Sequence, residues 1–339
     1  MNIQDGIKAL VTGRDLSQAE AAQVMEQIMT GDATPAQIGA FLTALHIKGE
    51  TDAEIAGMGE VMRDKSVHVP HTMAVLDTCG TGGDASNTFN ISTAAAFVAA
   101  GAGATVAKHG NRAMSSQCGS ADVLEGLGVA IELDAEGVAH CLEQAGIGFM
   151  YAQKFHPAMR FAGPVRRDIG IRTAFNVLGP LANPARAEYQ VVGVASLQLA
   201  EKLANALARM GTQHALVVHG TDSLDEISLS APSMIWEVRA GEQPRRFQIE
   251  PADFGIASAP RETLRGGTVA DNVQIVHGIL DGSDRGPRRD IVLLNAAAGL
   301  VAADKAADLK EGLVRAEESL DSGAARAHLQ RLVKASQEF

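Results

Sequence analysis

The chain is 339 residues long, 46% apolar and 20% charged, an ordinary globular composition with length for about two domains of roughly 150 residues each. That excludes a disordered chain and a disulfide-stapled miniature fold. Its 29 basic and 40 acidic residues leave a net charge of −11, so neither nucleic acid nor an anionic membrane is an expected partner, since both require a basic face.

Along the first seventy residues, three boundaries place a Ser or Thr three positions before a Glu or Gln: Ser17 with Glu20, Thr34 with Gln37, and Thr51 with Glu54. Each such pair satisfies two orphan N–H groups at a helix start. Pro35 stands at a tolerated first helical position, and Gly31 and Gly49 stand where left-handed C-caps are wanted. Together with Ile3–Val11 the pattern predicts about four helices in a small all-helical domain over residues 1–70. From Ala74 onward, short apolar runs alternate with glycine loops and helical stretches, which predicts a larger α/β domain over 71–339 with a mainly parallel central sheet flanked by helices. Strands are expected over 75–78, 104–107, 147–151, 190–195 and 215–219, and covering helices over 196–210 and 287–303. Shorter strands are expected over 234–238 and 247–250, and two surface helices over 304–338. The stretch 155–184, with Pro157, Pro164, Pro180 and Pro184, is too irregular for a sheet crossover, and part of it, 160–184, is expected to rejoin the helical domain.

Cys79, Cys118 and Cys141 are too few and too scattered for a disulfide framework or a CxxC metal site, and Met1 to Asp5 lacks the basic and apolar regions of a signal peptide. A cytoplasmic setting is the expectation. The uncharged run 85–107 consists largely of Ala, Gly, Ser, Thr and Asn and reads as strand, loop and helix rather than a membrane span.

The most informative run is Asp77-Thr78-Cys79-Gly80-Thr81-Gly82-Gly83-Asp84, followed by Thr88-Phe89-Asn90-Ile91-Ser92-Thr93. A strand ending in glycines lets backbone N–H groups approach a ligand, and the helix that follows offers its N-terminus to a phosphate, with Ser92 and Thr93 placed to cap it and bind the anion. The Lys and Ser/Thr of a Walker loop are missing, and Gly101-Ala102-Gly103 lacks the third glycine of a dinucleotide fingerprint. A second loop, Lys108-His109-Gly110-Asn111-Arg112 with Ser115, Ser116 and Ser120, is expected at the end of the next strand, facing the same crevice with two cations. Asp225-Glu226, after the strand 215–219, is expected at a loop tip; beside a polyphosphate an acidic pair suits a hard cation such as Mg²⁺. Arg160, Arg166, Arg167 and Arg172 form a cluster whose planar forks suit a carboxylate.

The words GTGGD and NIST within 77–93, KHGNR at 108–112, the run 115–125, HPAMR and NVLGPLANP within 155–184, and Leu224-Asp225-Glu226 resemble the anthranilate phosphoribosyltransferase family. The resemblance implies transfer of a phosphoribosyl group from phosphoribosyl pyrophosphate to the amine of anthranilate. It also implies a nucleoside phosphorylase/phosphoribosyltransferase-like fold and a homodimer formed through the helical domain. By the family's pattern, Gly80, Gly83, Asp84, Thr88, Asn90, Ile91, Ser92, Thr93, Lys108, Asn111, Arg112, Ser116 and Ser120 bind phosphoribosyl pyrophosphate, and Ser92, Asp225 and Glu226 hold Mg²⁺. Gly80, Asn111 and Arg166 contact anthranilate. Lys108, His109 and Asn111 are the expected catalytic groups, with Lys108 stabilising the leaving pyrophosphate and His109 orienting the amine or taking its proton. Two positions depart from the family's usual glycine, Ala85 and Ser223, and bear on loop geometry. Competing readings are a pyrimidine nucleoside phosphorylase of related fold and a non-catalytic, nucleic-acid-binding relative; the charge of −11 and the intact Asp225-Glu226 pair weigh against the latter.

Overall fold

The computed structural model describes residues 1–113 and 117–339; Ser115 and Ser116 lie outside the described residues. The three sequence boxes form at the starts of α2 (Gln18–Thr30), α3 (Pro35–Lys48) and α4 (Asp52–Asp64): each Ser or Thr side chain accepts from the third helical N–H, and Glu20, Gln37 and Glu54 reach back. The preceding α1 (Ile3–Val11) is capped by Asn2. Glu54 does more than cap. Its side chain is fully buried and accepts from Leu16 N, Thr51 N and Lys48 Nζ, so its charge is paired where solvent cannot reach it.

Beyond residue 70 the chain builds one seven-stranded sheet in the order β3-β2-β1-β4-β5-β6-β7. The strands are β1 (Leu76–Asp77), β2 (Val106–Gly110), β3 (Ile147–Tyr151), β4 (Tyr189–Gly193), β5 (His214–Gly220), β6 (Ser233–Arg239) and β7 (Arg245–Ile249). The first five are mutually parallel; β6 and β7 add an antiparallel hairpin to one edge. The fold class is therefore the one expected, a helical module with a mainly parallel sheet.

Among the described residues, six α-helices lie between β1 and β4: α5 (Ile91–Gly101), α6 (Ser120–Gly126), α7 (Ala135–Ala145), α8 (Ala152–Phe155), α9 (Met159–Ile169) and the short α10 (Phe175–Leu178). Following β4 come α11 (Leu197–Arg209), then α12 (Val269–Leu280), α13 (Pro287–Ala302), α14 (Leu309–Asp321) and α15 (Ala324–Ser336). One hydrophobic core joins α5, α7, α13, α14 and α15 to one sheet face. A second joins α1 to α4 with Ala162 and Val165 of α9, Phe175 and Leu178 of α10, α11, and Val192, Val217 and Trp236 of the sheet. The proline-rich stretch thus packs on the helical module.

Four local expectations are corrected. β2 runs to Gly110 rather than ending at 107, because five parallel pairs with β3 carry it on; Lys108 and His109 are strand residues, buried, and not loop residues. β1 is only two residues long, since its pairing with β2 ends after Leu76↔Val106. The tail helices α14 and α15 are not merely superficial: Ala316 and Ala325 are fully buried, and Ser319 Oγ donates to Val98 O of α5. α12 is not among the expected elements; its box, Thr268 with Asp271, uses Asp in place of Glu or Gln. Among the described residues, no helix is long and apolar enough to cross a membrane.

Candidate active site

The carboxyl ends of β1, β2, β4 and β5 lie along one edge of the sheet, as parallel pairing requires, and glycines let the loops that follow β1 and β4 approach closely. Thr81 N donates to Gly193 O at 2.8 Å, drawing the glycine loop onto the end of β4. A Cβ on Gly193 would stand 1.7 Å from Asp225 O, and one on Gly80 would stand 3.0 Å from Gly193 O and 3.3 Å from an Asp225 carboxylate oxygen. Between them is a small cavity of about 10 Å³, bordered by Gly80, Ser92, Gly193, Asp225 and Glu226, room for roughly one water-sized occupant.

Asp225 and Glu226 are not at a solvated loop tip. Burial, then the nearby Asp84, pushes the Asp225 carboxyl up to about 7. Burial and the adjacent Asp225 push Glu226 well above its ordinary value, against the pull of Lys108. Asp84 Oδ2 is buried with no hydrogen-bond partner, and Arg261 Nη2 stands 3.8 Å from it. Asp84, Asp225 and Glu226 thus stand near one another, and Asp84 raises both of the others.

Lys108 supplies one cation. Its Nζ, reached through a side chain that is 3% exposed, donates to Thr78 O (3.0 Å), Thr78 Oγ1 (3.1 Å) and Ser92 Oγ (3.3 Å). Arg112 does not join it: that guanidinium is bound by Asp122 at 2.9 Å and Glu125 at 2.8 Å. Helix α5 begins at Ile91, so Ser92 and Thr93 lie in its first turn and Asn90 is the capping position, without a side-chain cap. Ile91 is a core residue at 2% exposure, which leaves only its backbone to face a ligand. Asn90 Oδ1 and Thr93 Oγ1 are buried without partners. Thr88 bridges to Arg265, pinning the outer part of the loop. Asn111 O accepts from Ser120 Oγ at 3.3 Å and from Ala121 N, fastening the second loop to α6. Gly83 takes φ +81, and Arg172 Nη1 fills the space a side chain there would need, 1.9 Å from its ideal Cβ.

Sequence reasoning missed several partners. His109 is buried beside His156, their Nε2 atoms 3.2 Å apart, and His109 Nδ1 meets Gly179 O at 3.2 Å. A carbonyl only accepts, so His109 carries its proton on Nδ1 and its Nε2 accepts from His156. Asp77, fully buried and pushed up to about 6 by that burial, binds Asn183. Asp77, Cys79 and His109 offer ligand atoms within 4.8 Å of one another. That trio does not suit a metal, because both Asp77 oxygens and both His109 nitrogens are engaged and burial pushes the Cys79 thiol up to about 12. On the helical side, Arg166 is half-buried 5.3 Å from the Phe175 ring, and burial holds its pKa below the ordinary guanidinium value.

Two family models cover most of the chain: the glycosyl transferase family a/b domain matches residues 72–326 and the same family's helical bundle domain matches 4–66. An anthranilate phosphoribosyltransferase of Chloroflexus aggregans is 70% identical over 336 residues, and one of Herpetosiphon aurantiacus 68%, each over 99% of both chains. The chain belongs to the anthranilate phosphoribosyltransferase family. The crystal structure of the anthranilate phosphoribosyltransferase from Thermus thermophilus superposes with a TM-score of 0.93 at 43% identity, over 98% of this chain and 99% of that one. The Saccharomyces cerevisiae anthranilate phosphoribosyltransferase in complex with PRPP and Mg superposes at 0.90 with 28% identity, over 99% and 98%. Both departures from the anthranilate phosphoribosyltransferase glycine pattern fall on left-handed backbone: Ala85 has φ 54 and Ser223 φ 69.

Proposed function

We propose that this chain transfers the 5-phosphoribosyl group of phosphoribosyl pyrophosphate to the amine of anthranilate, releasing pyrophosphate, as a pentosyltransferase of tryptophan biosynthesis. The observation that carries the reading is the placement of Lys108 and the Asp84, Asp225 and Glu226 carboxylates around the glycine loop. As the ribose–pyrophosphate bond breaks, negative charge builds on the leaving group, and fixed donors aimed there lower the barrier. The N–H groups of the glycine loop and first α5 turn are such donors, and Lys108, its three N–H groups held by Thr78 and Ser92, adds a fixed positive charge beside them; Asn90, Thr93, Thr88, Ser120 and Asn111 are the remaining polar groups we assign to the phosphoribosyl side.

Mg²⁺ fits this site on the chemistry of its donors. Three hard oxygen ligands stand together, two with raised pKa values and one with an orphaned oxygen, the signature of negative charge awaiting a divalent cation. Asp225, Glu226 and Ser92 would hold it, with Asp84 alongside; when bound, it would offset pyrophosphate charge. Anthranilate's aromatic amine is largely unprotonated at neutral pH, so no strong base is required. Both ring nitrogens of His109 are engaged, Nδ1 by Gly179 O and Nε2 by His156, so we assign the pair to orienting the amine rather than to taking its proton. Arg166 is assigned to the anthranilate carboxylate, and holding both reactants converts encounter into a near-attack arrangement.

Val11 and Ile47, 72% and 79% exposed on α1 and α3, support a homodimer through the helical module. The three free cysteines support a reducing compartment, the cytoplasm. A Mg²⁺ titration of EDTA-stripped protein tests the assignment: pyrophosphate release should require both anthranilate and Mg²⁺, and the Asp225→Asn/Glu226→Gln protein should need far more metal. An unchanged Mg²⁺ response in that variant would remove the carboxylates from the role.

A further inference from the structure

The sheet forks between β1 and β2. Leu76 N donates to Thr105 O at 2.8 Å, and Leu76 pairs with Val106, but no further rung forms. Had the parallel ladder continued, Thr78 would pair with Lys108, with Thr78 N bonding to Ala107 O and His109 N bonding to Thr78 O. Side chains take both places. Asn183 Nδ2 donates to Ala107 O at 2.9 Å and to Asp77 Oδ2 at 2.7 Å, while Asp77 Oδ1 accepts from His109 N at 3.2 Å. Asn183 Oδ1 accepts from Ala185 N at 2.8 Å, which fixes the amide's orientation. Thr78 O, released from the ladder, accepts the Lys108 ammonium instead.

We propose that Asp77 and Asn183 are positioning residues: their side chains replace one rung of the sheet so that the Thr78 carbonyl is free to hold Lys108 Nζ toward the glycine loop. Neither residue touches the reacting atoms. They act on the backbone at Ala107 and His109, on both sides of Lys108, and Asn183 arrives on the segment that returns from the helical module to β4, where Gln190 Nε2 also donates to Pro180 O at 2.6 Å. A pairwise requirement follows, because a carboxylate at 77 needs the amide donor at 183, and that amide also has to reach Ala107 O. With the clamp absent, the ladder is free to close with Thr78 O bonded to His109 N, and the ammonium loses its strongest fixed acceptor.

The inference rests on the role assigned above to Lys108, and a double-mutant cycle separates the two. Asp77→Asn and Asn183→Ala should each lower kcat at least tenfold per folded molecule while changing KM for anthranilate less than threefold. In a Lys108→Gln background, followed by single turnover with enzyme in excess, either change should cost less than threefold more. Losses that multiply in that background, or kcat losses that disappear once the folded fraction is counted, overturn the clamp. Undiminished turnover of Lys108→Gln alone overturns the assignment of Lys108, and the clamp with it. Should Asp77→Asn fail to fold, the cycle with Asn183→Ala decides by the same criteria.

Discussion

Arg166 is a guanidinium half withdrawn from water and set against the Phe175 ring, with no ion-pair partner among the described residues. We assign that charge to the anthranilate carboxylate. Charge-assisted hydrogen bonds contribute about 1.5–3 kcal/mol, and roughly 1.4 kcal/mol corresponds to a factor of ten. Arg166→Ala should therefore raise KM for anthranilate about 10- to 100-fold and KM for phosphoribosyl pyrophosphate less than threefold. Initial-rate measurements with each substrate varied in turn check this, and equal losses for the two would make Arg166 structural. Arg112 shows the limit of reading residues singly: its position in the KHGNR word marks it as a phosphate ligand, yet Asp122 and Glu125, ten and thirteen residues on, have already taken its charge.

The two loops that enclose the carboxylates hold backbone strain at Ala85 and Ser223, at φ 54 and 69. A left-handed non-glycine residue costs about 1–2 kcal/mol, of which glycine's larger unfolded entropy returns about 0.4–1 kcal/mol. Ala85→Gly and Ser223→Gly are each expected to stabilise the protein by up to about 1 kcal/mol, read as an increased urea midpoint at unchanged slope. Unchanged midpoints for both would mean that the loops carry no strain. Elements defined by local chemistry were legible: the Glu and Gln capping boxes set α2, α3 and α4, and the apolar runs located the parallel strands. The end of β2 was not, because Lys108-His109-Gly110 reads as a polar loop, and only the pairing with β3 and the side chains of Asp77 and Asn183, distant in sequence, make it a buried strand. Nor was α12, whose start depends on an Asp where the usual box has Glu. The carboxylate pocket was half legible. Asp225-Glu226 stood out, but Asp84's approach to Asp225 is a product of the fold.

At the scale of the whole molecule, the net charge of −11 and a polyanionic substrate are compatible because the cationic groups are local, at Lys108 and Arg166, and because we assign the acidic pocket to Mg²⁺. Burial of two histidines gives the fold an acid-sensitive contribution. It pushes His109 down to about 3, with His156 adding to the effect, and His156 to about 4. The unfolded chain protonates these rings below about 6.5. Between about 6.5 and 4 the unfolded state thus binds more protons at these two rings, and their contribution to stability falls as the pH is lowered. His156→Asn removes one such uptake and should lower the slope of stability against pH, relative to the unsubstituted protein, by up to about 1.4 kcal/mol per pH unit. Raised carboxyls at Asp77, Asp225 and Glu226 act in the opposite sense but are common to both proteins. Urea denaturation from pH 4.5 to 7 makes the comparison, and parallel curves would show that His156 is not held neutral by the fold.

The central claim, that this site joins a phosphoribosyl group to anthranilate, is tested most directly by anthranilate fluorescence. Purified protein with Mg²⁺ and phosphoribosyl pyrophosphate should consume the anthranilate emission, with one pyrophosphate released per anthranilate lost. Emission that stays undiminished, with thymidine cleaved in the presence of phosphate instead, would contradict it.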